Sequence, residues 1–218
     1  MRYYFAWLGS KRAAKRDVAE PGCLLDKAAA NNLPVPAGGI LLHDFYELAL
    51  AEGVVQQENG QPTAVSAPDL HHLLYEFARF PRLEKKVVLR PLQGQQLGPE
   101  QVPLSADDPL LAKSLCEAWQ QQNGRHDVLL ITHPQATVAG TAVTQSQIAT
   151  DKIVLPEGSM ELEQLGLLQR PDNTLPPHMQ RLQMLLRGVR RTFGDTGWEV
   201  VWKDDGRICW LWEFKATV

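Results

Sequence analysis

Seven residues, Leu33–Gly39 (LPVPAGG), constrain this chain most, because no helix can run through them. Pro34 and Pro36 each lack a backbone N–H and hold the residue before them extended. Gly38 and Gly39 permit backbone angles closed to other residues. The helix-forming stretch that carries Lys27 and Ala28–Ala30 must therefore stop before Leu33. The apolar run Gly39–Leu42 reads as a short strand, and His43-Asp44 sit where a second helix, from about Asp44 to Glu52, would be capped. Phe45, Leu48 and Ala49 give that helix an apolar face at helical spacing.

The flanking chain alternates strands and helices. Arg2–Leu8 is aromatic and predicts a strand, followed by a charged connection over Gly9–Pro21. A short strand near Gly53–Gln57 precedes a Gly/Pro turn. Pro68 opens a helix to about Phe80, with Leu70, Leu73, Leu74 and Phe77 as its apolar stripe. His71 and His72 are adjacent, point about 100° apart on that helix, and read as surface residues rather than a metal pair. Lys86–Leu92 is a buried-type strand carrying Arg90, and Gln93–Leu104 reads as a surface loop. Ala106–Gln122 is a predicted helix. Asp127–Thr132 and Thr137–Gln145 are predicted strands, and Asp151–Asn173 is irregular, with one helical turn at Met160–Leu165.

Pro177–Phe193 gives the clearest helix: Met179, Leu182, Leu186, Val189 and Phe193 line one face, and Gly194 stops it. Arg181, Arg187, Arg190 and Arg191 lie off that face, some of them complementing the negative end of the helix dipole. Gly197–Val218 is a hairpin turning at Asp204-Asp205-Gly206. Strict alternation puts Trp198, Val200 and Trp202 on one face of the first strand and Glu199 and Val201 on the other. On the return strand it separates Trp210 and Trp212 from Leu211, Glu213 and Lys215. The tryptophans read as core rather than a base-stacking platform, since a lone hairpin must bury one face.

At 218 residues, 44% hydrophobic and 22% charged, the chain can bury a sizeable core, and a net charge of -3 gives no global pull toward nucleic acid or an anionic membrane. Arg2, Lys11, Arg12, Lys15 and Arg16 precede the first acid, Asp17, and read as a solvated face, with a phosphate-facing loop as the alternative. Cys23, Cys116 and Cys209 are far apart, odd in number and without a zinc spacing. They read as reduced structural thiols of a cytoplasmic protein. No apolar run approaches the ~20 residues of a membrane helix, and Tyr3–Leu8 is too short for a signal peptide.

The order helix, Leu33-Pro34-Val35-Pro36-Ala37-Gly38, strand, aromatic helix resembles the start of the ATP-binding domain of pyruvate phosphate dikinase and phosphoenolpyruvate synthase. That resemblance implies an α/β ATP-grasp-like fold over residues 1–218, with two small lobes, about 1–105 and 106–218, around a cleft. It implies that Lys27 falls at the family's phosphate-contacting Lys. Arg90 resembles the Arg of its Val-Arg-Ser-Ser strand, with Pro91-Leu92 in place of the hydroxyl pair. The strands Asp127–Thr132 and Thr137–Gln145 resemble the hairpin that walls the adenine pocket. The final hairpin resembles the end of the same domain: Trp202, Leu211 and Thr217 match, but Val201 stands at the Glu, Glu213 near the Gln, Lys215 at the Arg and Ala216 at the Pro.

By that resemblance the ligands are ATP and Mg²⁺, with Lys27, Arg90 and Lys215 on the nucleotide and Glu213 and Glu199 on the metal. Phosphoryl transfer relies on Mg²⁺ and on positive charge around the moving group. Val201 offers no oxygen to a metal, and Lys215 lacks the planar fork of Arg. Two function classes stay open. One is a stand-alone phosphotransferase module that works with a separate phosphohistidine-carrying, phosphoenolpyruvate-utilising chain, since none of the six His lies in a carrier motif. The other is a non-catalytic descendant that binds a nucleotide or a partner protein.

Overall fold

The computed structural model describes residues 3–105, 108–145, 148–166, 168–194 and 196–217. Arg2, Ala106 and Val218, where three predicted elements begin or end, lie outside them. The chain divides into two compact units: residues 1–26 with 37–133, and residues 27–36 with 134–218. The predicted boundary at 105/106 falls inside the first unit, and a second division falls between Asp26 and Lys27, within the first helix, α1 (Glu20–Ala30).

In the first unit, β1 (Phe5–Trp7), β2 (Gly38–Leu41), β5 (Val87–Gln93), β6 (Gln96–Leu97) and β7 (Val128–Thr132) form an antiparallel sheet in the order β1-β2-β7-β5-β6. All four side-chain positions of β2 are buried. The two glycines that open β2 do not have positive φ; what they permit is close approach, not an unusual angle. A Cβ on Gly38 would meet the Leu130 carbonyl oxygen and lie 2.6 Å from Ile131 Cα on the central strand.

Helix α2 (His43–Ala51) buries Phe45 and Ala49 as its spacing predicts, whereas Leu48 is half-buried and Tyr46 is buried instead. A hairpin, β3 (Val55–Glu58) and β4 (Gln61–Val65), occupies the region read as one strand and a turn. Helix α3 (Ala67–His71) continues as a π-helical stretch over His72–Phe77. The i→i+5 pattern turns less per residue, so Leu70, Leu73 and Leu74 stay buried while Phe77 is carried out of the stripe, 57% exposed and against Tyr4. Helix α4 (Leu110–Gln120) inserts the fully buried Trp119 into the same core, which also holds Phe45, Leu89 and Leu130.

In the second unit, β8 (Val138–Thr144), β9 (Thr150–Leu155), β10 (Gly158–Glu163), β11 (Trp198–Asp204) and β12 (Cys209–Ala216) form an antiparallel sheet in the order β10-β9-β8-β11-β12. Strands β9 and β10 correct the expectation of an irregular 151–173 segment. Their alternation flanks the turn at Pro156-Glu157-Gly158, a hairpin signal. Strands β7 and β8 belong to different sheets, so they are not a hairpin. Helix α5 (Pro177–Phe193) packs Met179, Leu182, Leu186 and Val189 onto the sheet face that holds Trp198, Val200, Trp202 and Phe214.

Two arginines of α5 bind buried carboxylates of that sheet rather than the helix dipole. Arg181 grips Asp204 through Nε and Nη2, at 2.8 and 2.7 Å. Arg190 Nη1 reaches Asp151 at 2.9 Å and the Thr144 hydroxyl at 2.6 Å. Asp204 is thus the last residue of β11, 0% exposed, and not part of the exposed turn. The Pro34 carbonyl accepts the Leu211 N–H at 2.8 Å, so the Pro-rich turn covers the edge of β12.

Candidate functional site

The face of the second sheet away from α5 is open, and the strand registers set its side chains in rows. One row runs Glu161, Lys152, Val143, Glu199, Lys215 from β10 to β12; the next runs Ser159, Val154, Thr141, Val201, Glu213. Lys215 Nζ and a Glu199 carboxylate oxygen are 3.3 Å apart, at 51% and 39% side-chain exposure. Val143 and Val154 are exposed beside them, at 38% and 42%.

A register shift between Val201 and Trp202 places two β12 residues, at Trp212, against one on β11. Leu211 is therefore opposite Trp202 on the core face, while Glu213 is opposite Val201 and Lys215 opposite Glu199. This corrects the alternation read from sequence, which grouped Leu211 with Glu213 and Lys215. Trp210 instead shares the open face with them, opposite Lys203. Lys203 Nζ lies 3.7 Å from the centre of the Trp212 ring. Nothing in the sequence around Trp212 signals the bulge, so Lys203 and Trp210 escape sequence reasoning.

The five expected site residues do not all come together. Glu199, Glu213 and Lys215 share the open face. Lys27 lies in the last turn of α1 and sits 4.9 Å above the Phe193 ring, which packs against Phe214 and Trp198 on the α5 side of the sheet. Lys27 and Lys215 thus lie on opposite sides. Arg90 belongs to the other unit, where it is buried in β5 and its Nε donates to the Gly98 carbonyl at 3.0 Å. Next to Lys27, Asp26 was not singled out. It is 2% exposed and accepts the N–H groups of Gly9, Lys11 and Ala13 at 2.8, 3.1 and 3.0 Å, which pins the basic connection.

The first unit also stacks three rings. His126 lies 3.9 Å from Tyr46 and 5.5 Å from His43, centre to centre, and its backbone N–H reaches His43 Nδ1. Burial, and then the neighbouring His43, hold the His126 imidazole below its ordinary value of 6.5. The unfolded chain therefore takes up a proton that the folded chain refuses. This contribution is complete above the unfolded value and is lost as the pH falls from there toward the lower folded value. His126→Gln is expected to flatten the loss of stability below about pH 6.5 in urea titrations. An identical pH profile for the variant would assign the loss to other groups.

No protein-family model matches the sequence, and no curated protein matches it. Solved structures do. D-alanine–D-alanine ligase from Bacillus anthracis superposes with a TM-score of 0.51 at 10% identity, over 95% of this chain and 58% of that one. The VanG D-Ala:D-Ser ligase from Enterococcus faecalis gives 0.50 at 11% identity, over 95% and 53%. The fold is α/β and ATP-grasp-like, as expected. At this identity the likeness concerns the fold alone, and the chain spans little more than half the length of either ligase. Both of these structures are ligases, so the comparison does not single out the dikinase resemblance.

Among the described residues no group of three or more His, Cys, Asp or Glu could hold a metal by itself. Mg²⁺ is commonly held by one or two carboxylates completed by phosphates and water. Glu199 and Glu213 are diagonal neighbours, roughly 7–8 Å apart at the backbone, and fit that smaller requirement. No described helix is long and apolar enough to cross a membrane.

Proposed function

We propose that residues 1–218 form one ATP-grasp domain that binds Mg²⁺–ATP, with the open face of β10-β9-β8-β11-β12 as the nucleotide surface. The observation that carries this reading is the Glu199–Lys215 pair, 3.3 Å apart, with Glu213 diagonal to Glu199 and the apolar Val143, Val154 and Val201 alongside. Valine side chains suit a purine ring. With Mg²⁺–ATP bound, Lys215 would face phosphate, and Glu199 and Glu213 would hold the metal. Arg90 is kept as a phosphate contact on the sequence resemblance alone. Lys27 is left out, because its ammonium covers Phe193.

The finer reading is a reduced form of the phosphotransferase domain of the pyruvate phosphate dikinase and phosphoenolpyruvate synthase family, serving a separate phosphohistidine-carrying chain. Val201 supports binding without efficient transfer, since it replaces a metal ligand of that family with a hydrocarbon side chain.

Calorimetric titration with ATP, with and without Mg²⁺, tests this. Glu213→Gln together with Lys215→Ala is expected to abolish the binding heat and any ATP-induced rise in Tm. Val201→Glu together with Lys215→Arg is expected to tighten Mg²⁺-dependent binding about tenfold, or about 1.4 kcal/mol. Absence of binding in both the natural and the restored chain defeats the nucleotide reading. Brisk ATP turnover by the natural chain defeats the role given to Val201.

A further inference from the structure

The second unit holds a groove of about 870 Å³, within the size range of small-molecule sites. Its walls are the turn after α1, the flank of α5 and the β11–β12 turn at Arg207–Cys209. This is separate from the open face, because α5 packs on the opposite side of the sheet from Glu199 and Lys215. Four arginines line the groove and, among the described residues, no acidic residue does, in a chain of net charge -3.

The arginines are not equivalent. Arg181 is neutralised by Asp204, at 2.7 Å. Arg187 Nη1 is held by the carbonyl oxygens of Gly166 and Gln169, at 3.2 and 2.8 Å, which fixes its position but leaves its charge uncompensated. Arg191 and Arg207 are exposed and have no ion-pair partner among the described residues. Asp205, beside the rim, accepts the backbone N–H groups of Arg207 and Ile208 and the Trp210 indole. Arg187 and Arg191 are four apart on α5, so their like charges repel. Leu33, Leu185 and Ile208 supply apolar wall between these charges. Guanidinium forks match the geometry of phosphate oxygens.

We propose that this groove binds a small phosphorylated organic anion, its phosphate among Arg187, Arg191 and Arg207 and its body against Leu33, Leu185 and Ile208. The probes are phenyl phosphate and inorganic phosphate, titrated into the ¹⁵N-labelled full chain and followed by NMR. Saturable shifts are expected at the amides of Asn32, Gly188 and Thr192, with phenyl phosphate binding more tightly than phosphate. Arg191→Gln with Arg207→Gln is expected to weaken phenyl phosphate at least about tenfold, while Lys215→Ala leaves it unchanged. The single arginine variants give the same reading should the double variant not fold. No saturable shift, an unchanged affinity in the arginine variants, or a response lost in Lys215→Ala overturns the proposal. Equal affinity for the two probes overturns the apolar part of the site.

Discussion

Gly38→Ala is expected to destabilise the chain by about 3 kcal/mol or more, at the upper end of overpacking costs. The added methyl meets two backbone atoms of β7, the Leu130 carbonyl oxygen and Ile131 Cα at 2.6 Å, and neither can rotate away as a side-chain end would. The neighbouring variant is the internal control. At Gly39 the nearest atom to an added Cβ is the Ala6 carbonyl oxygen at 3.1 Å, so Gly39→Ala should cost less. Urea unfolding of the two variants reads the difference. A cost below about 1 kcal/mol at Gly38 would contradict the observed register, in which Gly38 is opposite Ile131 on the central strand.

Asp151→Ala is expected to cost about 3–5 kcal/mol, the range for breaking a buried ion pair by removing one partner. Asp151 is 1% exposed at its side chain and Arg190 is 10% exposed, so water cannot readily replace the lost carboxylate. Asp151 also accepts from Gln164 at 2.7 Å, and after the same change that amide keeps only the Gln145 carbonyl, at 2.9 Å. Arg190→Met in the Asp151→Ala background should recover part of the loss, because the penalty resides in the unpaired guanidinium. A double-mutant cycle separates that coupling from the packing of each side chain. Additive losses would mean that the two residues do not act as a pair.

How much of this was legible in the sequence varies by element, for identifiable reasons. Helix α5 was readable to the residue, because one apolar stripe, a proline start and a glycine stop coincide. The LPVPAGG turn and β2 were readable too, although the reason for Gly38 was not: close approach between strands depends on the partner strand, which local sequence does not name. Strands β9 and β10 were missed because charged residues occupy the open-face positions and dilute the apolar signal. The carboxylates of Asp26, Asp151 and Asp204 were unreadable as anchors. Each is bound by donors distant in sequence, and Asp204 looks like ordinary turn chemistry beside Asp205-Gly206. Glu199, Glu213 and Lys215 share the open face of the second sheet, whereas Lys27 was read by position along the chain and lies over an aromatic ring.

The extra residue at Trp212 has a consequence for how hairpins of this kind are compared. Inside versus outside along a strand is a question of odd or even count, and the bulge changes the parity once. Counting back from the chain end and counting forward from the Asp205-Gly206 turn therefore assign Glu213 and Lys215 to opposite sides of the sheet. A homologue without the insertion can match the residues on either side of it and still present a different set of side chains on the open face. For this family of hairpins, the number of residues between the turn and the closing threonine carries as much chemical information as their identity.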